Sequence, residues 1–156
     1  MELFVFRHAE AVDRRRGLVD AERPLTGGGR ERFRKVARGL GRLDLELDTL
    51  LHSPLVRAKQ TASLLRDLVR GEVVETALLA RAPRRELLAL LRGERVGVVG
   101  HSPYVGDLCV WLLTGRRGAG AALAFKKGAV AWLEGEPRPG KMKLVALLPP
   151  QVVRHL

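Results

Sequence analysis

The sequence predicts a three-layer α/β/α domain: a mainly parallel sheet, helices on both faces, and a C-terminal antiparallel strand. Short apolar runs without helical period recur at 2–6, 47–51, 73–74 and 96–99, and they read as buried strands. Helical signals fall between them, and a strand, helix, strand, helix order implies parallel crossovers with helices on both sides of the sheet. With 156 residues and 46% hydrophobic side chains, the chain suits one domain over residues 1–156.

Residues 2–6 (Glu-Leu-Phe-Val-Phe) form the first strand, which stops abruptly at Arg7-His8. From Ala9 to Gly29 the chain is charged and broken by Pro24 and the Gly27-Gly28-Gly29 run, so it reads as a long loop, the type of segment that tends to carry function. Phe33, Val36, Ala37 and Leu40 share one helical face over 30–42, with arginines and Lys35 mostly elsewhere. After the strand at 47–51, Ser53-Pro54 combines an N-cap residue with a proline suited to a first helical turn, and the helix it opens is expected to reach about Val69.

Val73-Val74 predicts a third strand, Glu86 to Leu91 a short helix, and Val96 to Val99 a fourth strand ending at Gly100-His101. Ser102-Pro103 repeats the helix-start pattern for a helix through about Leu113. Residues 129–134 and 142–148 alternate as a terminal strand pair around Gly135-Glu-Pro-Arg-Pro-Gly140. No linker, low-complexity tract or heptad repeat interrupts the domain.

Lysine and arginine number 28 against 17 acidic residues, and the resulting +11 makes phosphate-bearing ligands the first class to consider. The single Cys109 rules out an internal disulfide framework and fits a reducing, cytoplasmic setting. The N-terminus lacks the pattern of a secretion signal, and no apolar run approaches a membrane span. Neither membrane attachment nor specific nucleic-acid binding is expected, since seven aromatic residues, several of them core-like, match no recognised binding motif.

In an open parallel sheet, ligands gather beyond the carboxyl ends of the strands. Three such ends carry Arg7-His8, Ser53-Pro54 with Arg57, and His101. Helix N-termini opening nearby add backbone N–H groups, so two histidines and two or three arginines surround an anion site with a potential nucleophile. Arg57 near a helix N-terminus opposes the macrodipole, a placement that makes sense with an anion between them. A metal site built from His8, His52 and His101 is disfavoured because the arginines beside them repel a cation and the histidines lack paired spacing.

Four blocks carry a family resemblance: Arg7-His8-Ala9, then Arg23-Pro24-Leu25-Thr26, then Ser53-Pro54-Leu55-Val56-Arg57-Ala58-Lys59-Gln60-Thr61, then Val98-Val99-Gly100-His101. In this order they resemble the histidine phosphatase, or phosphoglycerate mutase-like, superfamily. The short length and the Arg-Pro-Leu-Thr segment are most similar to its small SixA-type phosphohistidine phosphatases.

The resemblance implies that His8 is the nucleophile, forming a covalent phosphohistidine, and neutral imidazole suits that task. It further implies that Arg7 and Arg57 clamp phosphate oxygens, that His101 donates to an oxygen in the transition state, and that Arg23 reaches the phosphate. No cofactor is implied. Ala9 replaces the family's usual glycine, and His52 receives no role. Larger members supply a general acid from an inserted segment; here Glu86 is the candidate. A site poor in acids favours the labile P–N bond of phosphohistidine over an alkoxide leaving group.

The expected function is therefore a metal-independent phosphatase acting on phosphohistidine in a protein, or alternatively on a small phosphate ester. A non-catalytic phosphoprotein- or nucleic-acid-binding domain is the remaining alternative. Read alone, Ser53 and Ser102 are helix caps, His155 is a solvated tail residue, and Arg14-Arg15-Arg16 is a solvated loop.

Overall fold

A computed structural model covering residues 1–156 contains six strands in one sheet. They are β1 (Glu2–Arg7), β2 (Thr49–His52), β3 (Val73–Glu75), β4 (Arg95–Gly100), β5 (Val130–Gly135) and β6 (Met142–Leu148). Their spatial order is β3-β2-β4-β1-β5-β6. The first four run parallel, and β5 pairs antiparallel with both β1 and β6, so β5 alone runs against the rest. Five helices complete the fold: α1 (Gly27–Arg42), α2 (Val56–Leu64), α3 (Arg85–Leu90), α4 (Tyr104–Thr114) and α5 (Pro150–Val153).

The strands divide their side chains between two cores by simple alternation. Leu3 and Val5 of β1, with Val96 and Val98 of β4, pack against Leu87, Leu108 and Leu112 from α3 and α4. Phe4 and Phe6, with Leu50 and Val99, pack against Phe33, Val36, Ala58, Ala62 and Val153 from α1, α2 and α5. Each fully buried Leu or Phe stabilises the domain by about 1.5–3 kcal/mol, and Leu3, Phe6, Phe33, Leu108 and Leu112 are all in that state.

Most expected elements are present, with shifted ends. α1 starts at Gly27, three residues before the helix expected over 30–42, because Thr26 Oγ1 accepts from the Gly29 amide at 2.8 Å and caps it. The glycines read as a loop lie in the helix's first turn. A Cβ on Gly29 would stand 2.3 Å from the Glu10 carbonyl, so the close approach of the β1 loop requires glycine there.

The α2 and α4 starts also differ from expectation. Leu55 and Pro103 occupy the N-cap positions, so neither Ser53 nor Ser102 caps a helix. α2 stops at Leu64 and a 3-10 turn over Arg66–Leu68 follows, where a longer helix to about Val69 was expected. The long loop after β1 contains a 3-10 turn at Asp20–Glu22 and an Ala11–Leu25 bridge. The four-residue α5 has no sequence-level signal beyond Pro149-Pro150.

Candidate active site

Register brings the three strand ends together. Arg7 pairs with Gly100, and His52 with Val99, across the adjacent strands β2, β4 and β1. One residue further, the His8 amide donates to the Gly100 carbonyl at 3.0 Å and the Ser53 amide to the Val99 carbonyl at 3.1 Å. His8, His101 and Ser53 therefore sit side by side just beyond the last rungs of the ladder. The two histidine rings lie 5.2 Å apart, tilted by 50°.

His8 is buried, and its Nδ1 lies 2.6 Å from the Ala9 carbonyl. A carbonyl only accepts, so Nδ1 carries the proton and Nε2 keeps its lone pair. Burial, reinforced by the positive charges of His101, Arg57 and Arg7, pushes the His8 pKa down to about 3 against a smaller opposing effect of the Ala9 carbonyl. The ring is thus neutral at physiological pH. His101 is pushed down to about 4, first by burial and then by Arg57. Its Nε2 lies 2.7 Å from Ser53 Oγ, a fully buried hydroxyl that can donate to it or accept from it.

The arginines are held by backbone carbonyls. Arg7 Nη1 donates to the Phe125 carbonyl at 2.7 Å, and Arg57 Nη1 to the Asp20 carbonyl at 2.8 Å. Burial lowers the pKa of both guanidinium groups, yet each remains a cation at any working pH. Arg7 Nε, Arg57 Nε and His101 Nδ1 are buried without a hydrogen-bond partner in the chain. The cluster has more donors than acceptors, which suits an anion with several oxygens.

The segment from Ser53 to Thr61 has a mechanical role that accounts for its composition. Thr61 Oγ1 donates to the Arg57 carbonyl at 2.7 Å and accepts from the Ala9 amide at 3.0 Å. Gln60 Oε1 accepts from the Leu25 amide at 2.8 Å. α2 thereby fastens both ends of the β1 loop around Arg57. Ala9 adopts an ordinary negative φ and packs its methyl into the α1/α2 core beside Leu25, so the extra Cβ is accommodated without strain.

Residues 3–81 match the model of the histidine phosphatase superfamily, branch 1. The chain belongs to this superfamily. The phosphatase is 36% identical over 142 residues to an uncharacterized protein of Picosynechococcus sp. (strain PCC 7002), covering 85% of this chain and 84% of the relative. Its fold superposes on the protein histidine phosphatase SixA complexed with tungstate, with a TM-score of 0.80, 25% identity and coverage of 98% and 99% of the two chains. The α-ribazole phosphatase of Shigella flexneri shares the fold at a TM-score of 0.72 and 18% identity, with 96% and 97% coverage. The chain is a hydrolase of the phosphatase class. None of its helices is long and apolar enough to cross a membrane.

Of the residues singled out in the sequence, Arg7, His8, Arg57 and His101 converge in the phosphatase. Arg23 joins them indirectly: its Nε donates to Asp20 Oδ1 at 2.9 Å and its Nη1 to the Val12 carbonyl at 2.7 Å. Glu86 is exposed in the first turn of α3 and makes no hydrogen bond or ion pair with the cluster. His52 is buried with Nδ1 2.8 Å from the Ser53 carbonyl, while Ser102 and His155 are exposed.

Sequence reasoning overlooked Asp20. Its carboxylate meets Arg23, Arg57 and Arg14 at 2.9, 3.3 and 3.3 Å. Burial raises its pKa, but Arg57 and Arg23 together outweigh that and hold it below its ordinary value. The one available signal was a carboxylate three residues before Arg23, and nothing in the sequence set it apart from Glu10, Asp13 and Glu22 in the same loop. Ser53 was read as a cap, whereas its hydroxyl accepts from the Leu55 amide at 3.2 Å and meets His101.

Proposed function

We propose that this chain is a metal-independent phosphatase of phosphohistidine in proteins, acting through a covalent intermediate on His8. The observation that carries the reading is the fixed His8 tautomer: Nδ1 is committed to the Ala9 carbonyl, and Nε2 is free within a group of cations. His8 Nε2 attacks phosphorus, the N–P bond to the substrate imidazole breaks, and that imidazole leaves with a proton from solvent. Water then attacks the phosphorylated His8, releasing inorganic phosphate and restoring the neutral ring.

Arg7 and Arg57 grip the oxygens in both steps. His101 lies within reach of the same group, and a phosphate dianion raises the pKa of a nearby histidine, so His101 becomes a donor when substrate binds. The tungstate bound by the SixA relative is a tetrahedral oxyanion, consistent with a pocket of this composition. Arg7 and Arg57 beside the two histidines would repel a metal cation, which supports a route without one.

The substrate class follows from the supply of acids. Asp20 is the one carboxylate bonded into the cluster, and its arginine partners favour the ionised form, which makes it a poor proton donor. Phosphohistidine tolerates that lack because its P–N bond is labile. The test compares phosphate release at neutral pH from a phosphohistidine-bearing protein and from a panel of phosphate monoesters. Preference for phosphohistidine is expected; preference for a monoester would establish the alternative, a metabolite phosphatase with Glu86 or Asp20 as its acid.

A further inference from the structure

The charge of this chain is unevenly placed around its site. Residues 77–85 and 114–128 contain Arg81, Arg84, Arg85, Arg116, Arg117, Lys126 and Lys127 and no carboxylate. These 24 residues carry seven of the eleven surplus positive charges of the whole protein. All seven side chains are exposed, and none forms an ion pair.

The two segments form one rim. Arg117 Nη1 donates to the Pro83 carbonyl at 2.7 Å while its guanidinium lies 4.1 Å over the Trp111 ring, which joins the second segment to the first. The rim also abuts the site. The carbonyl that holds Arg7 belongs to Phe125, next to Lys126, and the Gly128 amide donates to the Arg7 and His8 carbonyls at 3.1 and 3.0 Å. Asp107, the acid nearest in sequence on α4, is engaged by the Gly120 amide at 2.9 Å. Glu86, next to Arg85, is the nearest free carboxylate in the chain.

Six of these cations sit as adjacent pairs, so like charges are held close together with no ion pair among them, an arrangement that costs stability unless a partner supplies negative charge. In the loop over residues 9–29, by contrast, Arg14, Arg15, Arg16 and Arg23 are balanced in number by Glu10, Asp13, Asp20 and Glu22, and Asp20 pairs with Arg14 and Arg23 as well as with Arg57. The uncompensated field is therefore directional.

We propose that this rim is the docking surface for the substrate protein, and that it selects phosphohistidine flanked by acidic residues. The inference rests on the phosphohistidine reading of the site. The rim adds long-range attraction, which raises encounter rate and thus kcat/KM, and leaves the chemistry at His8 untouched. It also accounts for much of the +11 surplus without nucleic-acid binding.

The test uses three chemically phosphorylated substrates: free phosphohistidine, a phosphohistidine peptide flanked by glutamates, and the same peptide flanked by alanines. At low salt the acidic peptide is expected to exceed the alanine peptide in kcat/KM by about tenfold or more. Near 1 M salt, where the Debye length is about 3 Å, the difference should vanish. The triple variant Arg84→Glu, Arg85→Glu, Arg116→Glu should lose the preference while hydrolysing free phosphohistidine at the wild-type rate, which also shows that it is folded.

Equal use of the two peptides by the wild type would overturn the docking surface and leave the phosphohistidine reading standing. So would a triple variant that keeps the preference, or rim-dependent binding of a labelled DNA duplex without peptide discrimination. Failure to hydrolyse any of the three substrates would instead remove the phosphohistidine reading, and the docking proposal with it.

Discussion

The Asp20 carboxylate lies 3.3 Å from Arg57 Nη2, and the carbonyl of the same residue accepts from Arg57 Nη1 at 2.8 Å. One turn thus grips a buried arginine twice, once through the backbone and once through a charge. Substitution at Asp20 removes only the second grip, and the position of Arg57 survives in large part.

With the carboxylate gone, the pocket becomes more positive. Asp20→Asn is expected to bind tungstate or phosphate more tightly, by about threefold, as suits one unit charge a few ångströms away in a partly solvated setting. Equilibrium binding of the oxyanion measures this. Weaker binding in the variant would mean that the carboxylate matters more for orienting Arg57 than for its charge.

Arg57 itself should be far more sensitive. Arg57→Ala removes a preorganised clamp on the transferring phosphoryl group and is expected to lower kcat by about 10²-fold or more. A loss confined to KM would place Arg57 in substrate binding alone.

Ser53 is fully buried against His101. Ser53→Ala leaves His101 Nε2 and the Leu55 amide short of a partner and is expected to cost about 1–3 kcal/mol of stability. Denaturant unfolding reads that loss, and an unchanged midpoint would show that water takes over both roles.

The histidines also set a pH dependence of stability. The unfolded chain takes up protons on both rings as pH falls through about 6.5, whereas the folded chain resists until about 4 at His101 and about 3 at His8. Between those limits the unfolded state binds more protons. Stability present above pH 6.5 is therefore lost on acidification, by up to about 1.4 kcal/mol per pH unit for each ring. Replacing His8 with Gln should flatten the slope between pH 6.5 and 4; identical slopes in variant and wild type would contradict the buried, neutral ring.

Glu86 provides a contrast. Exposed and unattached to the cluster, it should be replaceable by Gln with no effect on phosphohistidine hydrolysis. A large drop in kcat for Glu86→Gln would bring α3 into the chemistry.

The parallel sheet was legible because Leu3 to Phe6 and Val96 to Val99 are apolar on both faces, as buried parallel strands require. His8, Arg57 and His101 were legible because strand ends in such sheets converge. What escaped depends on contacts far apart in sequence. Gly27-Gly28-Gly29 has poor helix propensity; the Thr26 cap starts α1 there, and the Glu10 carbonyl explains why position 29 is glycine. Ser53 has an N-cap's chemistry, but a tertiary contact with His101 and a helix start at Val56 redirect its hydroxyl. Asp20 looked like any charged loop residue until the turn at 20–22 laid it across Arg57 and Arg23.

The central claim is that phosphate passes through His8. Its most direct test is a rapid alkaline quench of the enzyme during turnover of radiolabelled phosphohistidine, followed by mapping of the protein-bound label. Phosphohistidine survives alkali, so the label should be found on His8 and be absent, together with turnover, in a folded His8→Ala variant. Label on another residue, or hydrolysis by His8→Ala at an appreciable rate, would contradict the account.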